Sequence, residues 1–96
     1  MEKIHNNLNI DNLMKTEWGN QFNEYQKGCI IQGLEQGLDV SIYATPKYSW
    51  FQMKEIRLGL EANLDVLSYA KSDLPFEKMK QIREKLLEER ENKENE

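Results

Sequence analysis

The sequence predicts an all-α domain in which three longer helices alternate with short helices, and two observations lead to this prediction. The first is an internal repeat: the residues GLEQGLDVSIYA at positions 33–44 return as GLEANLDVLSYA at positions 59–70, with eight of twelve identical. The second is the spacing of apolar residues around each copy, which follows steps of three and four and is typical of amphipathic helices. Together they indicate a minimal helical-repeat array or a compact helical bundle.

The repeat also divides the chain into regions. Its period is 26 residues, and a chain of 96 residues is near the lower end of what buries a self-sufficient core. We therefore expect one helical repeat domain at residues 22–90, after an N-terminal tail and short helix at 1–21 and before a charged, disordered tail at 91–96. The units of the repeat lie near residues 22–47, 48–73 and 74–90.

The short N-terminal helix is predicted from Asp11 to Trp18. Asp11 is suited to cap its start, and the pair Gly19-Asn20 is suited to end it. The apolar residues that would share one face of this helix are Ile10, Leu13, Met14 and Trp18.

The first two units are predicted to begin with helices at about 24–36 and 50–62. Each follows a capping-box pattern, in which a cap residue, Asn23 or Ser49, precedes a glutamine by three positions. Apolar residues at helical spacing predict the inward face of each helix. They are Tyr25, Cys29, Ile30 and Leu34 in the first helix, and Trp50, Met53, Ile56, Leu60 and Leu64 in the second.

The second half of the repeat follows each of these helices. Gly37 and its counterpart Asn63 are suited to the left-handed conformation that often ends a helix. Asp39 and Asp65 are then the predicted N-caps of two short helices. These short helices are expected at residues 40–44 and 66–70.

The third unit keeps only the first half of the repeat. Pro75 lies at a position suited to the first turn of a helix, and no Leu-Asp-Val segment follows. The apolar stripe recurs at the same offset as Phe76, Met79, Ile82 and Leu86. Its charged continuation is typical of a terminal capping unit. Ion pairs of Glu35 and Glu61 with Arg57 and Arg83 are expected to set the spacing between units.

The second unit resembles a known repeat. Residues 52–61 read QMKEIRLGLE and are followed by Leu64-Asp65-Val66 and Tyr69-Ala70. This segment resembles a tandem repeat, QM-x-EIR-x-GLE-x-GLDVS-x-YA, of phage, plasmid and integrative-element proteins of Firmicutes. The resemblance implies a mobile genetic element as the setting and, by that association, an inhibitor of a host defence protein such as a CRISPR effector. It implies no catalytic residue.

Charge and composition narrow the classes of function. The net charge is −4 and acidic residues outnumber basic ones in both halves of the chain, which disfavours a duplex-DNA binder that neutralises phosphates. The N-terminal residues lack the apolar run of a signal peptide, and no stretch reaches the roughly 20 apolar residues that a membrane span needs. With a single cysteine in the chain, we expect a cytoplasmic protein without membrane contact.

No residue pattern predicts catalysis, a cofactor or a metal ion. His5 is the only histidine and lies in the N-terminal tail, away from any candidate nucleophile. Cys29 lies on a predicted inward helix face, where a small buried thiol is more typical than a reactive one. Asp39 and Asp65 would suit a carboxylate pair for a metal ion, but capping of the short helices explains them more simply.

Large aromatic residues outside the main stripes are the candidates for partner binding, since aromatic side chains are common anchors of protein interfaces. They are Trp18, Tyr48 and Phe51. The leading hypothesis is therefore a non-catalytic protein-binding module. Homo-oligomerisation is open as well, because a short array leaves its ends incompletely covered.

The alternative hypothesis is a nucleic-acid-associated helical regulator. Its basic face would consist of Lys78, Lys80, Arg83 and Lys85 in the third unit. Glutamates interleave with these residues along the same helix, which is typical of an ordinary solvated surface. Direct nucleic-acid binding is therefore not the expected function.

Overall fold

The computed structural model describes residues 10–94, with side chains described as far as residue 93, and every regular element in this part of the chain is helical. The predicted all-α fold is confirmed. The α-helices are α1 (helical over the described residues 10–14), α2 (Glu17–Asn20), α3 (Glu24–Glu35), α4 (Trp50–Glu61) and α5 (Phe76–Glu94). Two 3-10 helices, η1 (Val40–Ile42) and η2 (Val66–Ser68), follow α3 and α4.

The three long helices lie side by side in chain order. The central helix, α4, packs against α3 on one side and α5 on the other. The principal extents are 45 × 34 × 16 Å, so the molecule is a slab about half as thick as it is wide. After α3 and after α4, the 3-10 helix and its loop return the chain to the start of the next long helix.

A glutamine in the first turn of each repeat helix joins that turn to the next unit. The Gln26 Oε1 atom accepts a hydrogen bond from the Asn23 backbone N–H at 2.9 Å, which completes the predicted capping box. Its Nε2 atom donates to the Tyr48 carbonyl oxygen at 2.8 Å. Gln52 repeats the arrangement with Ser49 and with the Leu74 carbonyl oxygen at 2.9 Å. The first turns of α3, α4 and α5 are therefore neighbours along one edge of the slab.

A buried tyrosine closes each of the first two units against its own long helix. The Tyr43 hydroxyl donates to the Cys29 carbonyl oxygen at 2.7 Å, and the Tyr69 hydroxyl donates to the Glu55 carbonyl oxygen at 2.7 Å. Both tyrosines are fully buried. The glycine that opens each repeat makes this approach possible, because a Cβ atom on Gly33 or Gly59 would overlap the phenol hydroxyl.

The turn after each long helix has the predicted left-handed residue. Gly37 has a φ of 74° and Asn63 a φ of 58°. The backbone N–H of the next residue then returns to the helix, as from Leu64 to the Gly59 carbonyl oxygen at 2.9 Å. Asparagine tolerates this conformation better than other residues with a Cβ atom, which explains the substitution between the copies.

The predicted aspartate caps are only half correct. In the first unit, the Asp39 carboxylate accepts from the Ser41 backbone N–H at 3.3 Å and from its hydroxyl, so it caps η1 as predicted. In the second unit, Asp65 makes no side-chain capping bond. The residue that corresponds to Ser41 is Leu67, which has no hydroxyl to hold the carboxylate in place.

The N-terminal helix predicted from Asp11 to Trp18 is broken in two. Thr16 interrupts it: its Oγ1 donates to the Leu13 carbonyl oxygen at 2.6 Å and accepts from the Gly19 N–H at 3.3 Å, which caps α2. The break brings Gly19 against the backbone of Met14, where a Cβ atom would collide. Asp11 lies exposed within α1 and is not its first residue.

The predicted tail at 91–96 differs from the structure in its first part, because α5 continues to Glu94. Arg90 donates to the Ala62 carbonyl oxygen at the end of α4, which holds the late turns of α5 against the slab. A cation at a helix C-terminus is also favoured by the helix dipole. Residues 95–96, like the N-terminal tail at 1–9 with His5, lie outside the described residues.

The expected ion pairs of Glu35 and Glu61 with Arg57 and Arg83 do not join the units; within the described residues, the ion pair between units is formed by Glu55 instead. Glu55 and Arg83 join α4 to α5 with an N–O distance of 3.0 Å, and both side chains are largely buried. Arg57 instead pairs with Glu61 within α4. Cys29 occupies in the first unit the position that Glu55 holds in the second, so Arg57 finds no carboxylate there. Burial raises the pKa of the Cys29 thiol, which the nearby Arg57 only partly offsets.

We predict opposite effects for alanine at two helical glycines. Gly59→Ala places a Cβ atom against the Tyr69 hydroxyl, so we expect it to lower the free energy of unfolding by about 2 to 4 kcal/mol. A Cβ atom on Gly28 would meet no other atom within 4 Å. Gly28→Ala should therefore raise the free energy of unfolding by up to about 1 kcal/mol, because alanine has the higher helix propensity. Urea denaturation of both variants tests this. Equal effects of the two substitutions would contradict the proposed tyrosine–glycine contact.

The buried tyrosines also predict loss of stability at alkaline pH. Burial raises the pKa of Tyr43 and Tyr69 above the ordinary value of 10.0, so the folded protein retains protons that the unfolded chain releases. The free energy of unfolding should therefore fall above pH 10 by about 1.4 kcal/mol per pH unit for each of these tyrosines. Tyr69→Phe should reduce that slope. Denaturation curves from pH 9 to 12 would decide, and an unchanged slope in Tyr69→Phe would contradict the assignment.

Candidate functional site

Four aromatic side chains lie next to one another across the first turns of α3, α4 and α5. We call this set the aromatic row. Successive ring centroids lie 5.5, 4.9 and 5.0 Å apart, so the row is continuous. Its members in order are Tyr25, Trp50, Phe51 and Phe76.

The position of these residues in their helices explains why two of them face solvent. Tyr25 and Phe51 are the second residues of α3 and α4, one position beyond the stripe that enters the core. Their exposed fractions are 70% and 50%. Trp50 and Phe76 are half-buried and pack against neighbouring rings. The row is therefore an apolar surface that rests on the core and opens to water.

A shallow pocket of about 440 Å³ lies within the row. Its volume falls in the range typical of ligand pockets. No charged side chain lines it, and the Lys54 ammonium lies nearby, 5.7 Å from the centroid of the Trp50 ring. The lining residues are Asn23, Tyr25, Ser49, Trp50 and Phe51.

The structure separates the three residues that the sequence singled out for partner binding. Phe51 belongs to the aromatic row. Tyr48 is buried, and its hydroxyl donates to the Ala70 carbonyl oxygen at 2.8 Å. Trp18 is half-buried and packs edge-on against Phe22 at 5.1 Å. Of the three, Phe51 alone lies in the row.

The spacing of the sequence predicts Tyr25 on the inward face of its helix, because it lies four residues before Cys29. The structure places Tyr25 outside the core, with its side chain mostly in water. The repeat indicates the exposed position of Tyr25, because Tyr25 aligns with Phe51 and Phe51 lies outside the apolar stripe of its own helix.

The basic face of the alternative hypothesis is incomplete in the structure. Lys78, Lys80 and Lys85 are exposed, but the Arg83 guanidinium is turned toward α4, where it pairs with Glu55. A phosphate contact by Arg83 would require breaking this largely buried pair. This observation disfavours the four-residue basic face.

Other chemistry-bearing groups do not assemble into a site in the described part of the chain. Cys29 is buried, with a raised thiol pKa. Among residues 10–93, no three metal-ligating side chains lie close enough to share an ion. Among the helices that the structure describes, none is both long enough and apolar enough to cross a bilayer.

Comparison with known proteins returns no match for the chain among protein-family models, curated proteins or solved structures. Among the described residues, the large aromatic side chains that are exposed on the surface of the chain, Tyr25 and Phe51, both belong to the aromatic row.

We predict that truncation of the row leaves the fold intact. The double variant Tyr25→Ala/Phe51→Ala should change the free energy of unfolding by no more than about 2 kcal/mol, because Tyr25 is mostly exposed and Phe51 is half-exposed, so the loss is limited to ring contacts at the surface. Tyr48→Ala should cost about 3 to 5 kcal/mol, because it empties a buried site. Thermal or urea denaturation distinguishes the two. A large loss in the double variant would mean that the row is part of the core.

Proposed function

We propose that this chain is a non-catalytic protein-binding module and that the aromatic row is its binding surface. The single observation that carries the proposal is the exposure of Tyr25 and Phe51, at 70% and 50%, within a continuous set of four rings. Leaving such rings in water forgoes stabilisation that their burial would provide, and apolar patches of this kind commonly mark interaction sites.

The backbone that carries the aromatic row is held in place by hydrogen bonds, which favours binding. The backbone at the start of α3 and α4 is held by capping boxes, and the glutamines of those boxes fasten each first turn to the next unit. A partner that covers the row therefore meets rings on a rigid backbone, which reduces the conformational entropy lost on association. Aromatic anchors on a rigid base are typical of binding hot spots.

The repeat resemblance supports a finer proposal about the partner. Proteins with the resembling repeat belong to phages, plasmids and integrative elements, whose small proteins often inhibit host defences. We therefore propose that the partner is a host defence protein, such as a CRISPR effector. The acidic net charge of −4 is compatible with a protein partner and unfavourable for a phosphate backbone.

Affinity capture with the matched variants tests the general proposal. The wild-type chain and Leu67→Ala should recover the same host protein, because Leu67 is an exposed apolar residue outside the row, with an exposed fraction of 68%. Tyr25→Ala/Phe51→Ala should bind the purified partner at least about 30-fold more weakly, as expected when hot-spot aromatic residues are truncated. Equal binding by all three proteins would contradict a role for the row.

A plating assay tests the finer proposal. In a host whose CRISPR effector restricts a phage, expression of the wild-type chain or of Leu67→Ala should restore plaque formation. The double variant of the row should not restore it, although it accumulates to the same level. If none of the proteins restores plaque formation against representative effectors, the inhibitor proposal is contradicted. The capture experiment then decides separately whether the chain binds a protein.

A further inference from the structure

We infer that the pocket in the aromatic row binds a proline-rich segment of a partner in the polyproline II conformation. This inference rests on the proposed protein-binding function and names the chemistry of the partner. It follows from the hydrogen-bonding groups that remain free on the pocket's rim, from its aromatic lining and from the absence of charge among its lining residues.

Four of the five lining residues carry a group that can donate a hydrogen bond to a ligand. The Asn23 Oδ1 atom is occupied by the Gln26 N–H at 2.8 Å, which leaves the Asn23 amide NH₂ as its available group. The Ser49 Oγ atom accepts from the Gln52 N–H at 3.2 Å and retains its hydroxyl proton. Tyr25 and Trp50 also line the pocket, and their hydroxyl and indole N–H groups are hydrogen-bond donors.

A proline-rich segment has the complementary set of groups. Proline has a carbonyl oxygen but no N–H, so a run of prolines presents acceptors without donors. In polyproline II these carbonyls are not bonded to one another and point away from the chain axis. Other peptides also bring N–H groups, which on this rim could be accepted by the hydroxyl oxygens of Tyr25 and Ser49 and by the second lone pair of Asn23 Oδ1; an N–H group that is buried without one of these acceptors costs free energy.

The lining fits the side chain of proline as well. Tyr25, Trp50 and Phe51 provide apolar ring faces and edges, against which the flat pyrrolidine ring packs without losing side-chain entropy. The pocket volume of about 440 Å³ suits a few residues and not an extended folded surface. Beyond the pocket, the stacked pair of Phe51 and Phe76, at 5.0 Å and 25°, continues the surface for residues that follow.

Nuclear magnetic resonance of the ¹⁵N-labelled full chain tests the inference with two peptides. The probe is a blocked decaproline peptide, and the control is a blocked Gly-Ser peptide of equal length. Decaproline at millimolar concentration should shift the Trp50 indole resonance and the amides of residues 23–26 and 49–52, whereas the control should not. The affinity for decaproline should fall at least about tenfold in Tyr25→Ala and in Phe51→Ala and stay unchanged in Leu67→Ala.

The variant Asn23→Asp isolates the donor argument. Aspartate caps a helix as well as asparagine does, so the fold and its stability should be retained. The substitution exchanges the free amide donor for a carboxylate, so the affinity for decaproline should fall about fivefold or more because an interface hydrogen bond is lost. Unchanged affinity in Asn23→Asp would overturn the donor argument.

Failure of this inference is distinguishable from failure of the proposed function. No shift with decaproline, equal shifts with both peptides, or shifts away from the aromatic row would each overturn the polyproline assignment. If the double variant Tyr25→Ala/Phe51→Ala nevertheless fails to bind the partner that the wild-type chain captures, the aromatic row remains a protein-binding surface, but for a peptide or protein that is not proline-rich.

Discussion

The contact between a buried tyrosine and a helical glycine is the constraint on which the rest of the structure depends. In each of the first two units, the tyrosine of the 3-10 segment reaches back fourteen residues to donate to a helix carbonyl oxygen. It comes so close to the helix that only glycine fits at position 33 or 59. Glycine is otherwise unfavourable inside a helix by roughly 1 kcal/mol relative to alanine, so the packing of the tyrosine has to offset that cost.

This contact determines where the next unit begins. With the 3-10 segment held against its helix, the chain returns to the edge from which that helix started, and a first-turn glutamine binds the carbonyl oxygen of Tyr48 or Leu74 there. The three long helices thus start along one edge of the slab. The aromatic row follows from this arrangement, because the first and second residues of the three helices become neighbours in space.

The residues shared by the two copies were the most predictable from sequence, since each has a local structural reason. Capping boxes, the left-handed turn at Gly37 and Asn63, and the long-helix stripes follow from short-range rules that depend on few neighbours. Even the loss of the Asp65 cap is local, because Leu67 replaces the serine that holds Asp39 in the first copy.

The features that sequence reasoning missed depend on tertiary geometry. The break at Thr16 brings Gly19 directly onto the backbone of Met14, a contact that no helical periodicity reveals. Tyr48 is a candidate for partner binding in the sequence because it lies outside the main stripes, yet it is buried and its hydroxyl donates to the Ala70 carbonyl oxygen within the same unit. The spacing of Tyr25 predicts a core position, but in the first turn of α3 the core begins at the next residue, Gln26, and Tyr25 is exposed. The sequence therefore predicted aromatic residues as the candidate site, and of the three that it named, Phe51 lies in the aromatic row.

Hydrogen–deuterium exchange of the chain, alone and bound to its captured partner, tests the central claim most directly. If the repeat is a scaffold and the aromatic row is the surface in contact, added protection should be confined to segments at residues 23–27, 49–54 and 75–78, which begin the three long helices. Protection concentrated instead on the outer turns of α5, with the three helix starts unchanged, would contradict the account.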